Sequence, residues 1–281
     1  MDTHNETLSS ANFEKLRSLI YQESGINLNL DKKTMLEIRV KRRLRSLDIS
    51  SYTEYCNYLF ATDTKSRELV HLIDAVTTNK TDFFREPDHF EYLASKALPE
   101  LDVQNGPSRT SLVWSAGCSS GEEPYTLAMV LSEYAQGRPG FQFNILATDI
   151  STEVLDKARA GIFKADVVMP VPQNLRKKYL MRSKDPSADL VRVVPELRTK
   201  IEFQRVNFMD ADLGLSGYSP EIIFCRNVII YFDRATQVRI LGKLARQLAP
   251  GGYFFAGHSE SLQNMDLPFV TAGTAVYRKR A

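Results

Sequence analysis

Cysteine is scarce in this chain of 281 residues, and Cys56, Cys118 and Cys225 are far apart. Three is an odd number, and no CxxC or Cys/His metal spacing occurs, so neither a disulfide framework nor a zinc site is indicated. A reducing, cytoplasmic compartment fits, with Cys118 and Cys225 read as packing residues rather than sulfenylatable thiols. Long apolar runs are also lacking. No stretch approaches the roughly 18 apolar residues of a membrane span, and the polar opening from Met1 to Ser10 does not read as a Sec signal, so neither membrane insertion nor export is expected. Excess charge of one sign is nearly absent: a net +2 is too small to demand a polyanionic partner. Histidine is limited to His4, His71, His89 and His258, widely separated. There is no internal repeat and no low-complexity segment. What is present is a globular composition, 43% hydrophobic and 25% charged, enough for one large domain or two ordinary ones.

From residue 11 to about residue 76 the apolar positions recur at three and four, as in Phe13, Leu16, Leu19 and Ile20, then Leu36, Val40, Leu44 and Leu47, which predicts a small all-helical front. The turn-rich stretch 102–109, around Gly106-Pro107, has the character of a domain boundary. Beyond it, short β runs at 112–114, 143–147, 201–206, 222–225 and 253–256 alternate with helices at 152–159 and 234–248. That alternation predicts an α/β, doubly wound, mostly parallel sheet. Residues 164–200 interrupt it and are too many for an ordinary connection. Within them Leu190 to Val194 alternates, and Lys184-Asp185-Pro186-Ser187 supplies a turn, so a small antiparallel β subdomain is expected.

The first β run leads into Ser115-Ala116-Gly117-Cys118-Ser119-Ser120-Gly121-Glu122-Glu123-Pro124 and then an apolar helix. Small residues let the backbone turn tightly against a ligand, and the helix start offers free N–H groups. The glycines fall as GxxxG rather than GxGxxG, and two carboxylates stand where a pyrophosphate would sit. A cofactor with a cationic amino-acid end, such as S-adenosylmethionine, suits that charge. An ordinary tight turn with dipole-stabilising acids accounts for the loop equally well. After the second β run comes Asp149, placed to accept ribose hydroxyls, while Ser151 or Thr152 can cap the following helix. The third run ends in Asn207 and Phe208, an amide and a ring where adenine would lie.

Three segments resemble the chemotaxis receptor glutamate O-methyltransferases, the CheR family: Thr77-Thr78-Asn79-Lys80-Thr81-Asp82-Phe83-Phe84-Arg85-Glu86, Gly121-Glu122-Glu123-Pro124-Tyr125, and Phe224-Cys225-Arg226-Asn227-Val228-Ile229-Ile230-Tyr231-Phe232-Asp233. The similarity spans essentially the whole chain, including Ala256-Gly257-His258-Ser259-Glu260. It implies a helical domain and interdomain segment at 1–85, and a class I methyltransferase domain at 86–281 with the β subdomain inserted. It further implies that Asn79, Thr81 and Arg85 close over S-adenosylmethionine, that Glu123 takes its ammonium and Asp149 its ribose, and that Asn207, Phe208, Arg226 and Asn227 complete the walls. Arg85 and Tyr231 would lie nearest the transferred methyl and act as the catalytic pair. S-adenosylhomocysteine would be the product and no metal is called for. Phe83 and Phe84 read as core residues on their own account.

The implied substrate is a set of glutamates on the cytoplasmic helices of methyl-accepting chemoreceptors, esterified for adaptation. Between residues 31 and 46 seven basic residues (Lys32, Lys33, Arg39, Lys41, Arg42, Arg43, Arg45) face two acids. The resemblance makes Arg39, Arg42, Arg43 and Arg45 a receptor-docking face. A solvated helix face and a nucleic-acid patch are the other readings, the latter lacking an aromatic stacking row. In some family members the β insertion captures a receptor C-terminal peptide by strand addition. Here its turn, Ser183-Lys184-Asp185-Pro186-Ser187-Ala188-Asp189, has no glycine, which leaves tethering and a structural lid both open. The expected protein is a monomer recruited to membrane receptor arrays. A nucleic-acid methyltransferase and a non-catalytic cofactor-binding module are the alternatives.

Overall fold

Apolar residues spaced at three and four along the front of the chain fall on the inner sides of four helices in this computed structural model, which describes residues 7–61 and 65–280. His4 and the polar start at residues 1–6 lie outside the described residues. Helix α1 (Ser10–Ser24) is capped by Ser9, whose hydroxyl accepts from Asn12 N–H, and it ends at Gly25 with φ 73°. Helices α2 (Lys33–Leu47), α3 (Tyr52–Phe60) and α4 (Lys65–Val76) follow. Phe13, Leu16, Ile20, Leu36, Val40, Tyr55, Leu59 and Leu72 form one apolar core among them, each worth about 1.5–3 kcal/mol relative to exposure.

A second core begins where the chain leaves α4. Helix α5 (Pro87–Tyr92) continues through a π-helical turn (Leu93–Ala97) into α6 (Leu98–Asn105). Leu98 and Leu101 pack in the same cluster as Val113 and Ile145 of the sheet. The stretch 102–109 is mostly exposed and links α6 to the first strand of the sheet, two elements that pack in that one cluster, so its turn residues join parts of one core.

Strand β1 (Thr110–Ala116), helix α7 (Glu122–Ala135), β2 (Gln142–Asp149) and α8 (Thr152–Ala160) open the predicted alternation. The insertion comprises β3 (Ile162–Lys164), α9 (Gln173–Tyr179), β4 (Leu180–Arg182), β5 (Leu190–Val193) and α10 (Pro195–Arg198). Its three strands form an antiparallel sheet in the order β3-β5-β4, starting two residues earlier than the sequence suggests. The main sheet resumes with β6 (Ile201–Arg205), β7 (Ile222–Cys225), α11 (Arg234–Gln247), β8 (Tyr253–Ala256), β9 (Phe269–Gly273) and β10 (Val276–Lys279). Its order is β6-β2-β1-β7-β8-β10-β9; the first five strands are parallel and β10 and β9 antiparallel. This is the doubly wound methyltransferase sheet. Side chains alternate between its faces, so Val113 joins the cluster under α5 to α7 while Trp114 joins the one under α11. Among the described residues, no helix is long and apolar enough to cross a membrane.

Candidate active site

In an open parallel sheet the loops beyond the strand C-termini form a crevice where strand order reverses. Here that place is above β1, with β2 and β7 on its two sides. A cavity of about 1250 Å³, its open mouth included, occupies the crevice and is roofed by the helical front. Asn79, Thr81, Arg85, Glu123, Asp149, Asn207, Phe208, Arg226, Asn227 and Tyr231 all line it. Every cofactor-site residue read from the sequence thus converges on one space.

The loop after β1 can approach that space because it has glycines where side chains would not fit. Gly117 has φ 92°, and a Cβ there would overlap the Val228 side chain. Gly121 has φ 103°, and a Cβ would come within 3.1 Å of the Ala158 backbone. Of the two acids opening α7, Glu122 is tied to Ser120 Oγ (2.7 Å) and does not line the cavity. Glu123 does. Its Oε1 accepts from Ser115 Oγ (2.7 Å) and its Oε2 from Arg226 Nε (2.8 Å). A carboxylate has about four lone-pair sites, so two remain available for a cationic ligand.

Asp149 accepts from Ser119 N–H and Ser151 N–H, both at 2.9 Å. Burial pushes its carboxyl above the usual range, and those N–H groups partly oppose the rise. Ser151 caps α8, its hydroxyl accepting from Val154 N–H, which leaves the remaining lone pairs of Asp149 on the cavity side. Asn207 is committed differently from expectation: Nδ2 donates to Glu23 O at the end of α1 (2.6 Å) and Oδ1 accepts from Met209 N–H. It ties the two cores together at the cavity wall. Phe208 packs edge-on against Trp114, centroids 6.4 Å apart.

Arg85 sits between two residues with left-handed backbones, Phe84 at φ 53° and Glu86 at φ 55°. Non-glycine residues pay roughly 1–3 kcal/mol for such conformations, and they persist where the surroundings fix them. Thr126 Oγ1 accepts from Phe84 N–H (3.2 Å) and Arg226 Nη1 donates to Arg85 O (2.7 Å). The guanidinium of Arg85 donates to Lys80 O (3.0 Å) and keeps its other N–H groups for the cavity. Phe83 is a core residue as expected, edge-on to Phe163. Asn227, at φ 58°, occupies a conformation asparagine tolerates better than most. Its N–H and that of Ile229 are held by the buried Glu260 carboxylate (2.8 and 2.7 Å). Tyr231 closes the short turn that follows.

No local pattern in the sequence marks the roof. Ile26, Asn27, Leu28 and Met35 line the cavity, anchored because Asn27 N–H donates to Tyr231 O (2.9 Å) and Tyr21 to Asp233 (2.6 Å). Two histidines far apart in the sequence come together: the rings of His89 and His258 meet edge-on at 4.7 Å. Cys118 and Cys225 are buried, and that burial raises both thiols well above the ordinary value, which leaves them inert.

The four arginines of α2 have two different environments. Arg43 forms a two-pronged pair with the buried Glu68 (3.0 and 2.7 Å), and Arg39 donates to Val76 O and Thr77 O at the end of α4. Arg39 thereby holds the segment leading to Asn79. Arg42 and Arg45 are exposed.

Two family descriptions match this chain: CheR methyltransferase, all-alpha domain, over residues 11–77, and CheR methyltransferase, SAM binding domain, over residues 79–277. The chemotaxis protein methyltransferase of Borreliella burgdorferi is 39% identical over 279 residues, spanning 98% of this chain and 96% of the relative. That of Escherichia coli K12 is 40% identical over 275 residues, spanning 98% and 93%. Chemotaxis protein methyltransferase 2 of Pseudomonas aeruginosa is 40% identical over 265 residues, spanning 94% and 91%. With its helical front and its sheet domain both matched by family descriptions and relatives about 40% identical over nearly its whole length, the chain belongs to the CheR methyltransferase family.

Proposed function

We propose that this protein transfers the methyl group of S-adenosylmethionine to glutamate side chains of chemoreceptor cytoplasmic helices, giving 5-O-methyl esters. The observation that carries the reading is the convergence of Glu123, Asp149, Arg85 and Tyr231 on one cavity at the strand C-termini. The cavity suits the cofactor: a carboxylate with spare lone pairs for an ammonium, a second acid for a diol, and Phe208 for a flat ring. When bound, the cofactor supplies a methyl on a positively charged sulfur. A glutamate carboxylate, with an ordinary pKa near 4.3, is already ionised at neutral pH, so no general base is required of the protein. Arg85 and Tyr231 orient the incoming carboxylate; such alignment is worth up to roughly 7–11 kcal/mol. Arg85 must not hold the oxygen too tightly, since its negative charge disappears as the ester forms.

Labelled methyl transferred to a receptor cytoplasmic fragment should leave as methanol in mild alkali. Alkali-stable label would move the substrate to nucleic acid or to nitrogen, and no transfer at all would favour a binding module. Arg85→Ala should lower turnover at saturating cofactor about 10²-fold, the scale of a misaligned reactant, a larger effect than its loss of S-adenosylhomocysteine affinity. Loss of affinity with intact turnover would refute the orienting role.

Docking would fall to the exposed pair, Arg42 and Arg45. Reversing both charges should raise the KM for receptor about tenfold at low salt, with the difference shrinking as salt is added. Cofactor binding should not change. Arg43→Glu is a different experiment: it sets a second carboxylate against Glu68, whose side chain is only 3% exposed, and should destabilise the helical domain by about 2–4 kcal/mol. A normal melting temperature for Arg43→Glu would show that this pair is not structural. A receptor peptide adding by strand pairing would use an edge strand of the inserted sheet, β3 or β4, in a protein working in the cytoplasm at receptor arrays.

A further inference from the structure

Arg226 does more than pair with Glu123. Its Nη1 also faces a second group of acceptors: Arg85 O at 2.7 Å, His89 Nδ1 at 3.3 Å and Glu86 Oε2 at 3.5 Å. His89 is buried and does not line the cavity. Its Nε2 lies 3.3 Å from Thr274 O. A carbonyl can only accept, so Nε2 carries the proton; in the neutral ring Nδ1, which lies 3.3 Å from Arg226 Nη1 and 3.4 Å from Glu86 Oε2, is then the acceptor that the guanidinium requires.

Glu86, His89 and His258 bring ligand atoms within 4.8 Å of one another, the spacing of a metal site. The Arg226 guanidinium already reaches two of these three residues, so the cation for which this cluster is arranged is the chain's own. His258 bonds Asp88 (3.0 Å) through Nε2 and packs edge-on against His89.

Resting on the cavity reading above, we propose that His89 is a positioning residue for methyl transfer: as a neutral acceptor it fixes the Arg226 guanidinium, and through it the Glu123 carboxylate that receives the cofactor's ammonium. Burial, and then the charge of Arg226, hold His89 below the ordinary imidazole pKa, against the opposing pull of Glu86, Thr274 O and Asp88. The ring therefore stays an acceptor at neutral pH.

His89→Phe keeps a ring against Phe255, 5.7 Å away, and removes both nitrogens. His89→Asn keeps an acceptor near the Nδ1 position. His89→Phe removes a hydrogen bond to a charged group and should weaken S-adenosylhomocysteine binding about tenfold, which is about 1.4 kcal/mol, with kcat at saturating cofactor within about threefold. His89→Asn should restore most of the affinity. Glu123→Gln should weaken binding by itself, and adding His89→Phe to it should change little further, because both act at one point. Unchanged affinity in Glu123→Gln would sink the cavity reading. Weak binding in Glu123→Gln together with normal binding in His89→Phe, or equal weakness in His89→Phe and His89→Asn, would sink the role of His89. If His89→Phe does not fold, the acid limb of binding decides: wild type should lose affinity as His89 protonates and His89→Asn should not, with His258 and Asp88 common to both. An identical acid limb would overturn the proposal.

Discussion

Arg226→Met is expected to lower unfolding stability by about 3–5 kcal/mol, the usual consequence of stranding one partner of a buried ion pair. The Arg226 side chain is 2% exposed and that of Glu123 11%. Removing the guanidinium leaves Glu123 with the Ser115 hydroxyl alone and Arg85 O without its 2.7 Å donor. Methionine fills the space between the Phe90 and Phe224 rings, over which Arg226 now lies at 5.0 and 5.5 Å, so the loss is one of charge rather than of volume. Adding Glu123→Gln should therefore recover much of the stability, because no uncompensated charge remains. Cofactor affinity should stay low in both variants. Chemical unfolding and calorimetric titration of the three proteins would check this, and a double variant no more stable than Arg226→Met would show that burial of the unpaired carboxylate is not the cause.

The strand-to-helix turn that carries Arg226 was visible in the sequence as chemistry, though not as an ion-pair hub. Asp149 and Asn207 were legible because strand order sends the residues just past strand ends to one crevice, and Glu123 because its carboxylate opens the helix after β1; the place of Asn227 came from the family resemblance. Their partners were not legible. Asn207 binding Glu23 O spans 184 positions and His89 meeting Arg226 spans 137, and no local pattern encodes such pairs. The same limit explains Arg39 and Arg43, which a charge count cannot distinguish from Arg42 and Arg45. The hairpin of β9 and β10 was missed for a different reason. Its left-handed residue is Ala275 at φ 53° rather than glycine or asparagine, and a register shift falls between Val276 and Tyr277, so both the turn signal and the alternation are broken. In the insertion only the four-residue β5 is long enough to show alternation; β3 and β4 have three residues each.

Glu260 stands in the sequence only as the last residue of Ala256-Gly257-His258-Ser259-Glu260, yet it should be among the most sensitive positions in the protein. Its Oε2 accepts from Asn227 N–H (2.8 Å) and Gly257 N–H (2.7 Å), and its Oε1 from Ile229 N–H (2.7 Å) and Ile230 N–H (3.3 Å). One carboxylate thus satisfies the backbone on both sides of the crevice wall, binding the end of β7 to the loop after β8. Burial raises its carboxyl pKa and the four N–H groups oppose the rise. Glutamine keeps the shape but offers a single acceptor oxygen, so Glu260→Gln turns an amide NH2 toward two N–H groups. With each buried donor left unsatisfied costing about 1–3 kcal/mol, the variant should lose about 2–6 kcal/mol. The local consequence is larger than the global one, because the released turn carries Asn227 at its left-handed φ and Tyr231 at the cavity. Methyl transfer should fall by about 10²-fold or more even at temperatures where the variant is fully folded, the scale expected when a reacting group is misplaced by about 1 Å. Amide hydrogen exchange would locate the effect: faster exchange at Asn227, Ile229, Ile230 and Gly257 with an unchanged helical front is the expected pattern. Uniform acceleration across the chain would mean that Glu260 supports the fold as a whole and not this turn.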